Sequence, residues 1–167
     1  MGVRALVSVE EYLSTSYEPD CDYVDGELEV RNVGEKEHSR FQMAMGSFLF
    51  VRRKRWGIAV WPEQRVRISA GRYRVPDICV TLGEPDERVF TQPPFLCVEF
   101  LSPDDRASRM RRKVADYLNF GVRYVWVIDP RTREAVIYSA TGTHPVEEGV
   151  LRSSDPDIAV PLAGIFD

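Results

Sequence analysis

Asp77 and Glu99 are acids in places where acids are rare. Asp77 interrupts Arg74-Val75-Pro76-Asp77-Ile78-Cys79-Val80, and Glu99 interrupts Phe95-Leu96-Cys97-Val98-Glu99-Phe100-Leu101-Ser102. Both runs are short, rich in β-branched and aromatic residues and fenced by turn residues, which is the pattern of a buried strand. A carboxylate in such a run is costly unless something pairs with it. Side chains alternate along a strand, so Tyr73, Val75, Asp77 and Cys79 are expected on one face. Phe95, Cys97, Glu99 and Leu101 share a face of the other. If the strands pair antiparallel, the register that opposes Asp77 to Glu99 also opposes Cys79 to Cys97 and Val75 to Leu101. Opposed Cβ atoms lie roughly 5 Å apart, close enough for both carboxylates to hold one cation. Without a cation the two charges repel, and one pKa rises.

Paired carboxylates offer hard oxygen ligands, which suit Mg²⁺ or Mn²⁺. An ion bound this way keeps several waters, one of which can act as nucleophile, and it polarises a phosphoryl oxygen. A nearby lysine would stabilise the developing charge. Lys113 is the candidate: it falls between Met110 and Tyr117 at the edge of a helical apolar stripe and so points partly toward the sheet.

The elements that must position these groups follow from the pattern along the chain. Ser8-Val9-Glu10-Glu11 reads as a capping box opening a helix that ends near Ser14. Asp22 to Val30 reads as a hairpin turning at Asp25-Gly26. The polar run from Asn32 to Glu37 leads into a second helix. There Phe41, Ala44, Met45, Phe48 and Leu49 recur at helical spacing, Arg52 to Arg55 occupy the last turn, and Gly57 closes it. Strands are expected at Ile58–Trp61 and Gln64–Ser69, then at the two acid-bearing runs. Ser102-Pro103-Asp104-Asp105 is expected to start a third helix, with Ser102 as cap and Gly121 at its end. Tyr124–Ile128 and Ala135–Tyr138 read as strands around an Asp129-Pro130 turn, followed by a weak strand near Val150 and an apolar segment from Ile158 to Phe166. This order predicts a single α+β domain over 1–167, with a mixed, mostly antiparallel sheet flanked by helices.

Composition narrows the function classes. The 167 residues are 44% hydrophobic and 29% charged, which is ordinary for a soluble globular chain. A net charge of −4 argues against a general polyanion binder. Local clusters still matter, and Arg65, Arg67, Arg72 and Arg74, leading to Asp77, are the ones suited to a phosphate backbone. Arg52 to Arg55 complement a helix dipole, and Arg106, Arg109, Arg111 and Arg112 read as a solvated helix face. The three cysteines, two of them within strands, argue against a disulfide framework and fit a reducing cytoplasm. No run is long enough to span a bilayer, and Met1 to Ser8 lacks an apolar signal-like core.

Several stretches together resemble the PD-(D/E)XK nuclease superfamily and, more closely, the Uma family of "putative restriction endonucleases". They include Tyr23-Val24-Asp25-Gly26-Glu27-Leu28, Glu37-His38, Arg74 to Ile78, Val98 to Pro103, Lys113 with Tyr117, Gly121-Val122, Val125 to Pro130, Pro161-Leu162 and Ile165-Phe166. The resemblance spans almost the whole chain and implies a restriction-endonuclease-like core, with Asp77 and Glu99 as metal ligands. It also implies a lysine two positions after the strand acid, where this chain has Leu101; in the Uma-like pattern Lys113 stands in from the helix. Asp22 and His38 fall at positions implied to assist metal or water. The expected activity is cleavage of DNA by a Mg²⁺- or Mn²⁺-dependent endonuclease, and cutting both strands would be simplest with a homodimer. The alternative is a nuclease-fold protein that binds nucleic acid or a protein partner without catalysis. A third class, general acid/base hydrolysis by the acid pair, would need no metal.

Overall fold

The computed structural model describes residues 5–31 and 35–167. The start of the polar run expected before the second helix, 32–34, lies outside them, as do residues 1–4. Ser8 caps α1 (Val9–Ser14), its hydroxyl accepting the Glu11 amide at 3.1 Å. Asp25 and Gly26 take positive φ (49° and 94°) between β1 (Cys21–Val24) and β2 (Glu27–Val30), as a tight hairpin turn requires. In α2 (Lys36–Trp56) the residues Phe41, Met45 and Leu49 fall four apart and are buried; Gly57 ends the helix in the left-handed region. The chain continues through β3 (Ala59–Pro62), β4 (Val66–Ser69), β5 (Arg72–Arg74), β6 (Ile78–Thr81) and β7 (Leu96–Phe100) to α3 (Ala107–Phe120). It then runs through β8 (Tyr124–Asp129), β9 (Glu134–Ser139), β10 (Gly142–His144), β11 (Val150–Arg152), β12 (Ala159–Pro161) and α4 (Ala163–Phe166).

Six strands form the central sheet in the order β10-β9-β8-β7-β6-β3. Its β7–β8 pair is parallel and its other pairs are antiparallel. A parallel pair needs a crossover, and α3 supplies it. Alternation along β7 separates the two faces. Leu96, Val98 and Phe100 pack with Phe41, Met45 and Leu49 of α2 and with Ile165 and Phe166 of α4. Cys97 faces Val114 and Tyr117 of α3 on the other side. A second sheet, β2-β1-β5-β4, stands beside α3, and β11 pairs with β12. This is the α+β architecture expected, with a mixed, mostly antiparallel sheet between helices.

The stretch Arg74 to Val80 is not one strand. β5 belongs to the smaller sheet and β6 to the larger, and Val75-Pro76-Asp77 crosses between them. Pro76 has no amide hydrogen to give a ladder, and the neighbouring backbone groups are satisfied individually. The Val75 amide donates to Asp22 Oδ1 at 2.9 Å, while the Asp77 carbonyl accepts from Gln42 Nε2 at 3.0 Å and from the Glu63 amide at 3.2 Å. Tyr73 therefore joins Tyr12 and Tyr23 in a separate cluster and shares no face with Cys79, and β6–β7 pairing does not reach Val75 or Leu101.

The helix after β7 also begins later than expected. Ser102 to Asp105 forms its own turn, with the Ser102 amide donating to Asp105 Oδ2 at 2.6 Å and the Asp105 amide to the Ser102 carbonyl at 3.0 Å. A residue before proline is steered out of the helical region, and an aspartate side chain competes for the local amides. Arg106, not Ser102, precedes the helix, and it makes no side-chain cap. The strand β10 had no sequence expectation.

Arg74 ties the smaller sheet to α3. Its side chain is 1% exposed and donates to Asp22 of β1 at 3.1 Å, to Glu29 of β2 at 2.7 Å and to Asp116 of α3 at 2.8 Å. A guanidinium this deep is tolerated because carboxylates surround it, and removing one partner of such a set is far costlier than loosening an exposed pair. Arg74→Met is expected to lower stability to urea by about 3–5 kcal/mol. Arg72→Met, at a partly exposed pair with Asp116 and Asp25, should cost about 0–1 kcal/mol. Equal losses would show that Arg74 does not carry the junction.

Candidate active site

Pairing of β6 with β7 opposes Ile78 to Val98 and Cys79 to Cys97, and the same register extended one residue beyond the paired strands aligns Asp77 with Glu99. This is the register read from the sequence. Both acids are buried and line one cleft of about 110 Å³ between the sheets and the helices. Lys113, Asp22 and His38 line the same cleft, so residues far apart in the chain converge here from β1, α2, β7, α3 and the crossing segment.

Each carboxylate has its own surroundings. Asp77 Oδ2 accepts the Phe100 amide at 2.8 Å and lies 3.2 Å from His38 Nε2; Asp77 Oδ1 pairs with the guanidinium of Arg31. Burial alone would raise the Asp77 pKa. The His38 hydrogen bond and the charges of Arg31, His38 and Lys113 outweigh it and bring the pKa down to about 2. Burial likewise opposes a charged imidazole, but Asp77 prevails and raises the pKa of His38.

Glu99 behaves in the opposite way. Tyr117 donates its hydroxyl to Glu99 Oε1 at 2.6 Å, and Lys113 Nζ lies 3.4 Å from the same carboxyl group. Burial, joined by the negative charges of Asp77 and Asp22, pushes Glu99 up to about 7, against the pull of Lys113 and the Tyr117 hydrogen bond. The acids of one cleft are thus driven apart, as like charges at close quarters are. Lys113 also lies 3.6 Å from Asp22 Oδ2. Burial works against its charge, but Asp22, Glu99 and Asp77 together raise its pKa, so it stays an ammonium and is no candidate base.

The donor set suits one kind of ion. Asp77 and Glu99 supply hard oxygens on a solvent-connected cleft, which fits Mg²⁺ or Mn²⁺ keeping part of its water shell. Among the described residues no group of three or more His, Cys, Asp or Glu is arranged to hold a metal, so a closed cage of protein ligands does not fit. The three cysteines are free and buried.

The four arginines expected to meet a phosphate backbone do not form one free basic surface, although Arg72 and Arg74 share Asp116. Arg65 is held by Asp20 at 2.7 Å and by the carbonyls of Tyr12 and Thr15, with its guanidinium over the Tyr12 ring. Arg67 is exposed, and Arg72 is taken up by Asp116 and Asp25. Arg74, expected to be available to a phosphate backbone, is sealed among three carboxylates instead. Register explains the scatter: Arg67 opposes Tyr73 and Val66 opposes Arg74, so Arg67 and Arg74 project to opposite faces. None of the four lines the cleft; among the described residues its arginines are Arg31 and Arg109, the latter bound to Glu29 and to the Val30 carbonyl. Arg31 gave little warning in the sequence, being a lone base at the end of a hairpin. Tyr117 read as one more member of an apolar stripe, and no feature of it signalled a hydrogen bond to Glu99.

Among the described residues no helix is long and apolar enough to cross a membrane. The crystal structure of a "putative nuclease" belonging to DUF820, from Anabaena variabilis ATCC 29413, is similar in fold, with a TM-score of 0.80 over 96% of this chain and 97% of that one. Sequence identity is 20%, so this likeness concerns the fold. A search of curated proteins found no match. The model of the Uma2 family, described as "Putative restriction endonuclease", matches residues 9–163, and that family supports a nuclease function. With that match running over nearly its whole length, the chain belongs to the Uma2 family.

Proposed function

We propose that this protein is a divalent-metal-dependent endonuclease that hydrolyses phosphodiester bonds in DNA. The observation carrying this reading is the convergence of Asp77, Glu99 and a charged Lys113 on one cleft. Asp77 and Glu99 would hold Mg²⁺ or Mn²⁺, which when bound supplies Lewis-acid polarisation of the phosphodiester and neutralises its charge. Lys113, kept protonated by its carboxylate neighbours, stabilises negative charge building on the phosphoryl oxygens. Tyr117 fixes the rotamer of Glu99 through its hydroxyl, and Asp22 Oδ2, 3.6 Å from Lys113 Nζ, helps hold the ammonium beside it. His38 and the Phe100 amide orient Asp77. Phosphodiester hydrolysis leaves the chemistry to positioning and electrostatics, which a rigid sheet floor supplies.

A second reading has one observation behind it: Arg31 and His38 already compensate Asp77, so that carboxylate needs no ion to balance it. It describes a nuclease-fold protein that binds nucleic acid or a protein partner without cleaving. Calorimetric titration with Mn²⁺ separates the two, since absence of binding near millimolar metal supports the inactive protein.

Purified protein is expected to nick or cut DNA with Mg²⁺ or Mn²⁺ and to stop when EDTA is added. Asp77→Ala or Glu99→Ala should abolish cleavage, and Lys113→Met should slow it about 10²–10³-fold, the usual cost of one electrostatic donor. Undiminished cleavage in both acid variants removes the mechanism.

Metal affinity should also depend on pH. A proton on Glu99 competes with the ion, and with its pKa near 7 the competition is strong below that pH and absent above it. Asp77 itself is ionised throughout this window, while the proton on its partner His38, whose pKa it raises, also opposes the ion and adds a dependence of the same sign. The apparent Mn²⁺ affinity is expected to rise roughly tenfold per pH unit from about pH 5.5 to 7 and then level off. Calorimetry in buffers of different ionisation enthalpy should detect at least one proton released at the acid end. A flat profile would mean that Glu99 is not a ligand.

A further inference from the structure

Arg31 follows β2, and its side chain is 9% exposed. One guanidinium nitrogen pairs with Asp77 Oδ1, and the other lies 3.5 Å from Glu63 Oε1, on a side chain that is half exposed. One oxygen of the carboxylate proposed to hold the ion is therefore already taken by a permanent cation. Asp77 Oδ2 meets His38 and the Phe100 amide. A divalent ion on Asp77 must share this carboxylate with Arg31 or displace it. An imidazole can relieve the conflict by losing its proton, whereas a guanidinium cannot be deprotonated in a protein. It can only move.

Arg31 itself lines the cleft, between Asp77 and the exposed Glu63, and among the described residues Arg109 and Lys113 line the same cleft. A planar fork of donors released there matches two oxygens of a phosphodiester. We propose that Arg31 is a phosphate-binding residue that Asp77 holds in reserve: ion and guanidinium compete for Asp77, and the phosphodiester takes the guanidinium. This rests on the metal-dependent reading above. It adds a coupling that the reading does not contain. By linkage, a bound phosphodiester raises ion affinity by the same factor by which the ion raises phosphodiester affinity.

The test measures Mn²⁺ binding by the loss of the free-ion EPR signal, without and with saturating dimethyl phosphate, the ionic strength being matched with sodium chloride. For the unaltered protein the phosphodiester is expected to tighten Mn²⁺ roughly fivefold, at the lower end of ordinary coupling. Arg31→Gln should bind Mn²⁺ roughly tenfold more tightly without the phosphodiester, one decade of affinity for one competing charge, and gain clearly less than the unaltered protein when it is added, keeping only the coupling from direct contact of phosphodiester and ion. Arg31→Lys keeps the charge without the fork; it should bind Mn²⁺ as the unaltered protein does but lose most of the coupling, and it serves if the glutamine variant fails to fold. Equal phosphodiester gains in all three proteins, or no tightening in Arg31→Gln, overturn the proposal while leaving the metal site intact. Mn²⁺ binding that survives Asp77→Ala unchanged overturns the metal reading, and the role of Arg31 with it.

Discussion

The β6–β7 register is the constraint on which the rest of the molecule depends. Asp77, just before β6, is aligned with Glu99 by the register that sets Cys79 opposite Cys97, and a slip of one residue would turn every side chain of a strand to the other face. Val98 and Leu96 would then leave the α2 core for the α3 side, so packing of apolar residues on both faces of the sheet fixes where the two carboxylates fall. The chemistry is positioned by residues that take no part in it.

Buried charge is the second organising feature. Asp22, Asp77, Glu99 and Asp116 are all nearly inaccessible, which is tolerable only with cations at hand. Arg74 answers Asp22 and Asp116, Arg31 and His38 answer Asp77, and Lys113 answers Glu99. The compensation is uneven. Asp77 is held firmly as an anion while Glu99 is left with one partly satisfied ammonium and a tyrosine hydroxyl, so the two carboxyl groups stand at opposite ends of the titration range. Asymmetry of this kind marks a site organised around something beyond its own side chains.

Much of this was legible in the sequence, and the exceptions have physical reasons. The Asp25-Gly26 hairpin, the Ser8 cap and the Gly57 stop are local, and local turn chemistry identifies them. The acid pair was legible because strand alternation and a constant residue sum are enough to predict register. The break at Pro76 was not, because a run of strand-forming residues gives no sign that its halves join different sheets; only the missing amide of proline hinted at it. Nor could charge alone tell a surface arginine from a buried one. Arg74 and Asp116 lie 42 residues apart, and Arg31 and Asp77 lie 46 apart, so their pairing exists only in the fold. Arg65 misled for the same reason, since its partner Asp20 sits 45 residues away.

The most direct measurement is the anomalous difference map of a crystal grown in Mn²⁺. The account predicts a single strong peak within coordination distance of both Asp77 and Glu99, with water filling the remaining positions. A map without a peak there, or with manganese bound elsewhere while the two acids keep only their protein partners, would contradict it.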